Sequence, residues 1–515
     1  MAAQLPIPIY NSLDKLYADL GSAANHAVRW NHLTEEFEKR FGRKPAFIAR
    51  APGRVNLIGE HIDYALFPAL PAAIERDILI ACAPRASSSP GHVHAQNLHD
   101  KYTPTTFTPK RRRSVTEGPS EEEVHLEEWE LGIDKKELRW ESYVKAGYYG
   151  VLNRFFAPEA GSLQTHSPVP VDLLVTGTVP AGSGLSSSAA MVVASTLVFL
   201  AVNNKLEGIS KGTLVEMAME NEKRVGVNSG GLDQAASVIC TPASAIYVTF
   251  FPHLAASPVL LPGADVFAMG PRAVFILANS LVTSEKAVHA RTRYNLRVVE
   301  TLAAARILSN LLGVPVGARE RLQLRHFVGR FGGEPESGWD GEDVESLKAA
   351  LHKALEHVHR LKPSRNDGQE GLTLADMIAL SGMSADDFHE VYLSWIDVEA
   401  THFQLFKRAT HVFTETLRVL EFREVCLHAA ASGATEDTLK RLGSIMDASM
   451  ASCSAVCAGW GGCTVSLVAE DNVDKFIATL KATYPAYKDL EGEALAEVIF
   501  ATKPSSGACL YNFGA

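Results

Sequence analysis

Pro180-Ala-Gly-Ser-Gly-Leu-Ser-Ser-Ser-Ala-Ala190 brings two glycines and three consecutive serines directly into Met191-Val-Val-Ala-Ser-Thr-Leu-Val-Phe-Leu200, an apolar run that reads as a buried helix. Glycine lets a backbone turn tightly and approach a ligand closely. Serine caps a helix start, and the free N–H groups there, aided by the helix dipole, form an anion site. The stretch is suited to holding phosphate. It is not the P-loop pattern, which requires Lys and then Ser or Thr after the last glycine, and Ser187 stands where the third glycine of GxGxxG would fall. An ordinary glycine-rich turn before a core helix would use the same residues, so the reading needs further segments.

Ala51-Pro-Gly-Arg-Val-Asn-Leu-Ile-Gly-Glu-His-Ile-Asp-Tyr64 supplies one, gathering Arg54, Glu60, His61 and Asp63 between apolar flanks at Phe47-Ile-Ala and Leu70-Pro-Ala-Ala-Ile. Charges at the edge of a core must be paired or hydrogen-bonded. A structural salt bridge accounts for one pair, but poorly for a glycine-bracketed set of two carboxylates and an imidazole, which is suited to gripping several sugar hydroxyls. Two more glycine-rich pieces follow, Gly226-Val-Asn-Ser-Gly-Gly-Leu-Asp-Gln234 and Gly459-Trp-Gly-Gly-Cys-Thr-Val465.

On these residues the chain resembles the galactokinases, members of the GHMP superfamily of small-molecule kinases that also holds homoserine, mevalonate and phosphomevalonate kinases. GRVNLIGEHIDY resembles the galactokinase signature, and the serine loop resembles the superfamily's phosphate motif. The Gly226–Gln234 piece is similar to the segment that carries the catalytic aspartate, and the Gly459–Val465 piece to the third motif, a glycine turn near the active site. The matches keep family order from residue 51 to residue 465. Tyr294-Asn-Leu-Arg-Val-Val-Glu300 and the length look most like the fungal branch.

The resemblance implies an α+β, two-lobed GHMP-kinase-like fold with mixed sheets and helices, lobes at 1–220 and 221–515, and an active site in the cleft between them. It implies phosphorylation of α-D-galactose by ATP at the anomeric hydroxyl, giving galactose 1-phosphate, the first committed step of galactose catabolism. Gly182, Ser183, Gly184, Leu185, Ser186, Ser187 and Ser188 would wrap the triphosphate. Ser188 and Glu222 would hold Mg²⁺, a hard cation that prefers oxygen ligands. Glu220 competes for that role, and either glutamate would otherwise be a solvent-facing helix residue. Trp140 and Tyr143 would flank the adenine, although an aromatic pair three apart on a helix is as readily core. Asp233 would be the general base for the acceptor hydroxyl. Arg54 would keep it ionised and neutralise charge on the moving phosphoryl group, unless the two are only a buried brace. Glu60, His61, Asp63, Gly230 and Tyr294 would join Arg54 and Asp233 around the sugar, Tyr294 being otherwise a core aromatic.

The rest of the sequence bounds this reading. A chain of 515 residues exceeds the usual size of a single core, so two domains are expected. A formal charge of −10 argues against broad nucleic-acid or anionic-membrane binding. Seven cysteines show no disulfide-scaffold spacing, and the gaps among Cys453, Cys457 and Cys463 do not follow the CxxC zinc pattern. No signal peptide is visible. The longest apolar run, Ala189 to Val202, is too short to span a bilayer, which makes cytoplasmic residence the expectation. A monomer is expected as well.

Residues 34–42 read as a charged helix leading into a strand at Ala46–Arg50, with another strand at Ile74–Ala83. Between about 100 and 139 the composition shifts: Lys110-Arg-Arg-Arg113 is followed by Glu121-Glu-Glu123 and Glu127-Glu128, the pattern of a solvated surface insertion rather than a polyanion-binding patch. A helix is expected to open at Trp140, a strand at Val171–Gly177 and a helix at Lys211–Arg224. A helical insert should fill about 332–400 between loops at 332–345 and 362–370. Long helices follow at Asp397–Glu421 and Thr438–Ala451, another at Val473–Tyr484, and a last strand near Ala508–Tyr511.

Two other functions share these motifs. Fungal galactokinases have relatives that bind galactose and ATP and contact a transcriptional repressor without useful catalysis. Those have a shortened serine loop, whereas Leu185-Ser-Ser-Ser-Ala-Ala190 is complete here. A dual role with repressor contact stays open. N-acetylgalactosamine kinases share the motifs and must admit an acetamido group near the second hydroxyl; Tyr294 and the fungal-like context favour plain galactose.

Overall fold

The computed structural model describes residues 2–17, 20–117, 123–135, 137, 139–157, 167–226, 228–262, 273–282, 289–336, 338–339, 344–363, 370–456 and 461–513. Its strands in chain order are β1 (Ile9–Tyr10), β2 (Phe47–Ile58), β3 (Leu70–Pro84), β4 (Val93–Asn97), β5 (Thr105–Phe107), β6 (Lys110–Glu117) and β7 (Glu123–Glu130). They continue as β8 (Val171–Gly177), β9 (Ser244–Thr249), β10 (Ala255–Leu260), β11 (Ala273–Asn279), β12 (Cys463–Ala469), β13 (Ile499–Thr502) and β14 (Cys509–Asn512). The main sheet has the order β1-β14-β2-β3-β8-β4-β5, and three smaller sheets pair β9 with β10, β6 with β7, and β12-β11-β13. Sheets and long helices without regular alternation make the α+β class expected. β14 comes from the far end of the chain, so the main sheet draws on both sides of the division expected at residue 220.

β3 and β8 are buried almost throughout because both faces of the sheet are covered, their apolar runs broken by Glu75-Arg76-Asp77 and by Asp172. Alternate residues feed two cores. Leu79 and Ala81 pack with Leu174, Leu33 and Phe37 of helix Leu20–Phe41. Ile78, Ile80 and Cys82 face helices Trp140–Phe155 and Ser187–Val202, where Tyr148 stacks on Phe199 at 3.9 Å. β2 passes from one core into another: Ala49 and Ala51 belong to the second face, whereas Val55, Leu57 and Ile58 join the large core under helices Tyr294–Leu312 and Leu405–Ser432. Register shifts between Pro52 and Arg54 and between Asn56 and Ile58 mark this crossing, as expected where a strand must re-aim a side chain. The charged motif sits there.

Several elements depart from expectation. The helix before β2 begins at Leu20, not at residue 34. Residues 105–130 contain three strands. In the β6–β7 register Lys110 lies opposite Glu130, Arg112 opposite Glu128 and Arg113 opposite Glu127, so the basic run is laid against the later acidic one. The expected acidic residues Glu121 and Glu122 lie outside the described residues. The base of this hairpin is anchored: Trp129 is buried and its Nε1–H donates to Phe156 O at 2.8 Å.

The helix expected at Asp397 starts at Leu405 and continues to Ser432. Phe403 instead exchanges both backbone hydrogen bonds with Leu372, at 2.8 and 2.9 Å, which holds that segment extended. Among the described residues no helix is long and apolar enough to cross a membrane.

Candidate active site

The serine loop leaves β8 and enters helix Ser187–Val202 through Ser186, which adopts left-handed φ 58°, ψ 41°. A non-glycine residue there costs on the order of 1–3 kcal/mol and persists only where its surroundings fix it. Here the expected capping does not occur. Ser186 makes no side-chain cap, and its buried Oγ has no hydrogen-bond partner. A serine hydroxyl and the first N–H groups of a helix are thus left without a side-chain acceptor, which suits an anionic ligand. Ser187 and Ser188 occupy the first helical turn. Ser183 Oγ–H donates to Pro180 O at 2.7 Å and fixes the loop's entrance.

The described part of the third motif abuts this loop. Gly462 N–H donates to Val282 O at 2.9 Å, and a Cβ on Gly462 would fall 3.0 Å from Ser183 O, so only glycine allows the approach. Gly459 and Trp460 lie outside the described residues.

Arg54 reaches from the bulged part of β2 to Asp233 in the first turn of helix Leu232–Ile239. Its Nε and Nη2 lie 2.6 and 2.5 Å from Asp233 Oδ1, and Nη1–H donates to Gly184 O at 2.7 Å. Arg54 N–H also donates to Leu185 O at 3.1 Å. One guanidinium therefore ties the aspartate to the serine loop. Burial works against its charge, but the carboxylates of Asp233, Glu60 and Asp63 more than offset this and raise its pKa.

Asp63 meets the same segment from the other side. Its Oδ2 accepts from Gly230 N–H at 3.1 Å and from Leu232 N–H at 3.4 Å. Burial, then the charge of Asp233, push its carboxyl up to about 6. A Cβ on Gly230 would lie 2.5 Å from the backbone of Asp63 and Tyr64, so this contact requires glycine. Glu60 is half-exposed and accepts from Asn56 Nδ2–H at 2.9 Å. His61 Nδ1 lies 3.1 Å from Tyr64 Oη. Tyr294 packs its ring 5.4 Å from His61 and 5.5 Å from Tyr64. Its hydroxyl is raised well above the usual range, by burial and then by Asp63, Tyr64, Asp233 and Glu60. Arg54, Glu60, His61, Asp63, Gly230, Asp233 and Tyr294 thus form one connected cluster.

Trp140 and Tyr143 open helix Trp140–Phe155, both half-buried against the core. Trp140 Nε1–H donates to Thr103 O at 3.4 Å. Burial, then the charge of Glu222, push the Tyr143 phenol up to about 12. Glu222 is buried, and its Oε2 accepts from Gln234 Nε2–H at 2.5 Å, beside Asp233 in sequence. Glu220, on the same helix, is exposed. Among the described residues no three His, Cys, Asp or Glu side chains gather as a metal cage. One buried carboxylate and a helix-start hydroxyl fit a cation that completes its shell with phosphate oxygens and water.

Two further residues were not anticipated. Glu415 and His411, on helix Leu405–Ser432, bond to the backbone of Gly59 and Glu60. In the sequence they are a histidine and a glutamate one turn apart, flanked on the same helix face by Arg408 and Arg418.

The fold and the serine loop are those of a GHMP-type kinase. The model for the GHMP kinases N terminal domain matches residues 143–240, and that for the galactokinase galactose-binding signature matches residues 35–84. The chain is 33% identical over 525 residues to a galactokinase of Saccharomyces cerevisiae, covering 93% of this chain and 94% of the relative. It is 31% identical over 548 residues to a galactokinase of Dictyostelium discoideum, covering 98% and 97%. The chain belongs to the galactokinase family. Its fold is similar to that of the Lactococcus lactis galactokinase solved with galactose, with TM-score 0.56 at 20% identity, covering 93% of this chain and 99% of that one.

Proposed function

We propose that the protein transfers the γ-phosphoryl group of ATP to the anomeric hydroxyl of galactose. The observation that carries this reading is the Arg54 bridge, which joins a carboxylate at the sugar-motif cluster to the loop built for phosphate. In the reaction the anomeric oxygen forms a bond to the γ-phosphorus as the bond to the β,γ-bridging oxygen breaks. ADP leaves, and the hydroxyl proton passes to Asp233. Phosphoryl transfer depends mainly on positioning and charge neutralisation. Arg54 supplies positive charge beside the moving group, and the serine loop's N–H groups receive the triphosphate. Trp140 and Tyr143 flank the adenine.

Glu60, His61, Asp63, Gly230 and Tyr294 form the sugar pocket. Asp63 and Glu60 accept hydrogen bonds from neighbouring hydroxyls, which distinguishes galactose from glucose at the fourth position. A buried group left unpaired by the wrong epimer costs about 1–3 kcal/mol. Ser188 and Glu222 would hold Mg²⁺, whose charge offsets that of the phosphates. The burial of Glu222 and the exposure of Glu220 favour this choice between them. The protein is read as a cytoplasmic monomer.

An ADP-release assay against galactose, N-acetylgalactosamine, glucose and mevalonate tests the reading. Turnover is expected with galactose and not with the others. A preference for N-acetylgalactosamine would reassign the sugar.

A further inference from the structure

Among the polar side chains that helix Leu405–Ser432 buries are two one turn apart, His411 and Glu415. Both hold backbone rather than facing a ligand. Glu415 Oε1 accepts from Gly59 N–H at 2.9 Å and from Ser449 Oγ–H at 2.5 Å, while Oε2 pairs with Arg418 at 2.9 Å. His411 Nε2 lies 2.8 Å from Glu60 O. A carbonyl can only accept, so Nε2 carries the proton, and Nδ1, 2.9 Å from Ser452 Oγ, is left to accept.

These contacts seize two successive residues of the sugar-motif turn. The turn needs external support, because Gly59 and His61 both have positive φ, 107° and 60°, and it lies beyond the end of β2. A fully buried carboxylate is a poor way to fill a core, since apolar side chains of like volume pack there at no electrostatic cost. Here it takes donors from the turn, from its own helix and from the following helix, Glu436–Val456.

We propose that His411 and Glu415 are positioning residues for sugar recognition: they fix the backbone of Gly59 and Glu60, so that Glu60, His61 and Asp63 converge on the acceptor. The inference rests on reading this turn as the galactose site. Groups that must align on several hydroxyls tolerate little displacement, and an error of about 1 Å can cost roughly 10²-fold.

The test uses the full chain, with galactose affinity measured by calorimetry and KM for both substrates. His411→Ala should weaken galactose binding about 10–100-fold while leaving KM for ATP within about threefold. His411→Gln, which keeps an N–H for the Glu60 carbonyl, should recover most of the loss. His411→Leu, similar in bulk but lacking a donor, should not. A merely structural role would lower thermal stability and affect both substrates alike. Equal galactose affinity in the Gln and Leu variants, or equal losses for galactose and ATP, overturns the proposal. If the wild type binds no galactose, the site reading falls and this inference falls with it.

Discussion

Arg54 Nε lies 2.6 Å from Asp233 Oδ1 across 179 positions of sequence, and the same guanidinium donates to Gly184 O at 2.7 Å. The bulge at Pro52–Arg54 turns the arginine toward the start of helix Leu232–Ile239, where Asp233 stands in the first turn. A buried Arg–carboxylate pair is weak evidence for stability, because desolvation offsets much of its attraction. Its link to the serine loop makes better sense as preorganisation for charge transfer.

Asp233→Asn should therefore lower kcat by roughly 10²–10⁴-fold, the usual cost of removing a general base. ATP binding should stay within several-fold of wild type. Steady-state kinetics with nucleotide titration measures both. A variant that keeps most of its turnover would remove Asp233 from the base role.

Gly230→Ala places a methyl group 2.5 Å from the backbone of Asp63 and Tyr64, where neither neighbour can rotate away. Overpacking of this kind costs about 1–3 kcal/mol. Galactose binding should fall far more than ATP binding, because the displaced atoms belong to the sugar motif. Calorimetry with each ligand checks it, and equal losses would point to a general defect.

Asp63 gives a pH signature. Its folded carboxyl sits at about 6, against an ordinary 3.8, through burial and the charge of Asp233. The folded chain thus binds this proton more tightly than the unfolded chain, so stability falls as pH rises between those values. Relative to Asp63→Asn, the wild type should gain about 2 kcal/mol on going from about pH 7 to about pH 4.5. Denaturant unfolding of both proteins at the two pH values measures the difference. Galactose affinity of the wild type should weaken below about pH 6, as the accepting carboxylate becomes protonated.

Glu222→Gln should raise the Mg²⁺ concentration for half-maximal activity by about tenfold or more, in the range typical of losing support for a metal. KM for galactose should barely change, and Glu220→Gln should leave both near wild type. A Mg²⁺ titration of the three proteins decides between the glutamates.

Much of the fold and cluster was legible because their residues are bound to local pattern. Val171–Gly177 and Ser187–Val202 declare themselves by continuous apolar runs with glycine and serine between them. Arg54, Asp63 and Asp233 fall within dense polar motifs set in apolar flanks. The β6–β7 hairpin was not legible, because its pairing places like-charged runs in register with opposite ones, and composition alone reads such runs as solvated loop. β1 is too short to show periodicity, and although the last strand is expected near Ala508–Tyr511, its pairing with β1 and β2 joins segments from opposite ends of the chain. Ser186 looked like a cap, but its left-handed backbone turns the hydroxyl elsewhere. His411 and Glu415 act on backbone more than 350 positions away, which no spacing rule reaches.

The most direct measurement follows the phosphorus itself. Phosphorus NMR of the intact protein with ATP, Mg²⁺ and galactose should show a sugar 1-phosphate appearing in step with ADP, at a turnover of roughly 1–10³ s⁻¹. The Asp233→Asn protein should bind both substrates yet form this product at a small fraction of that rate. A wild-type protein that binds ATP and galactose by calorimetry but yields no galactose 1-phosphate would contradict the account, leaving a ligand-sensing role in its place.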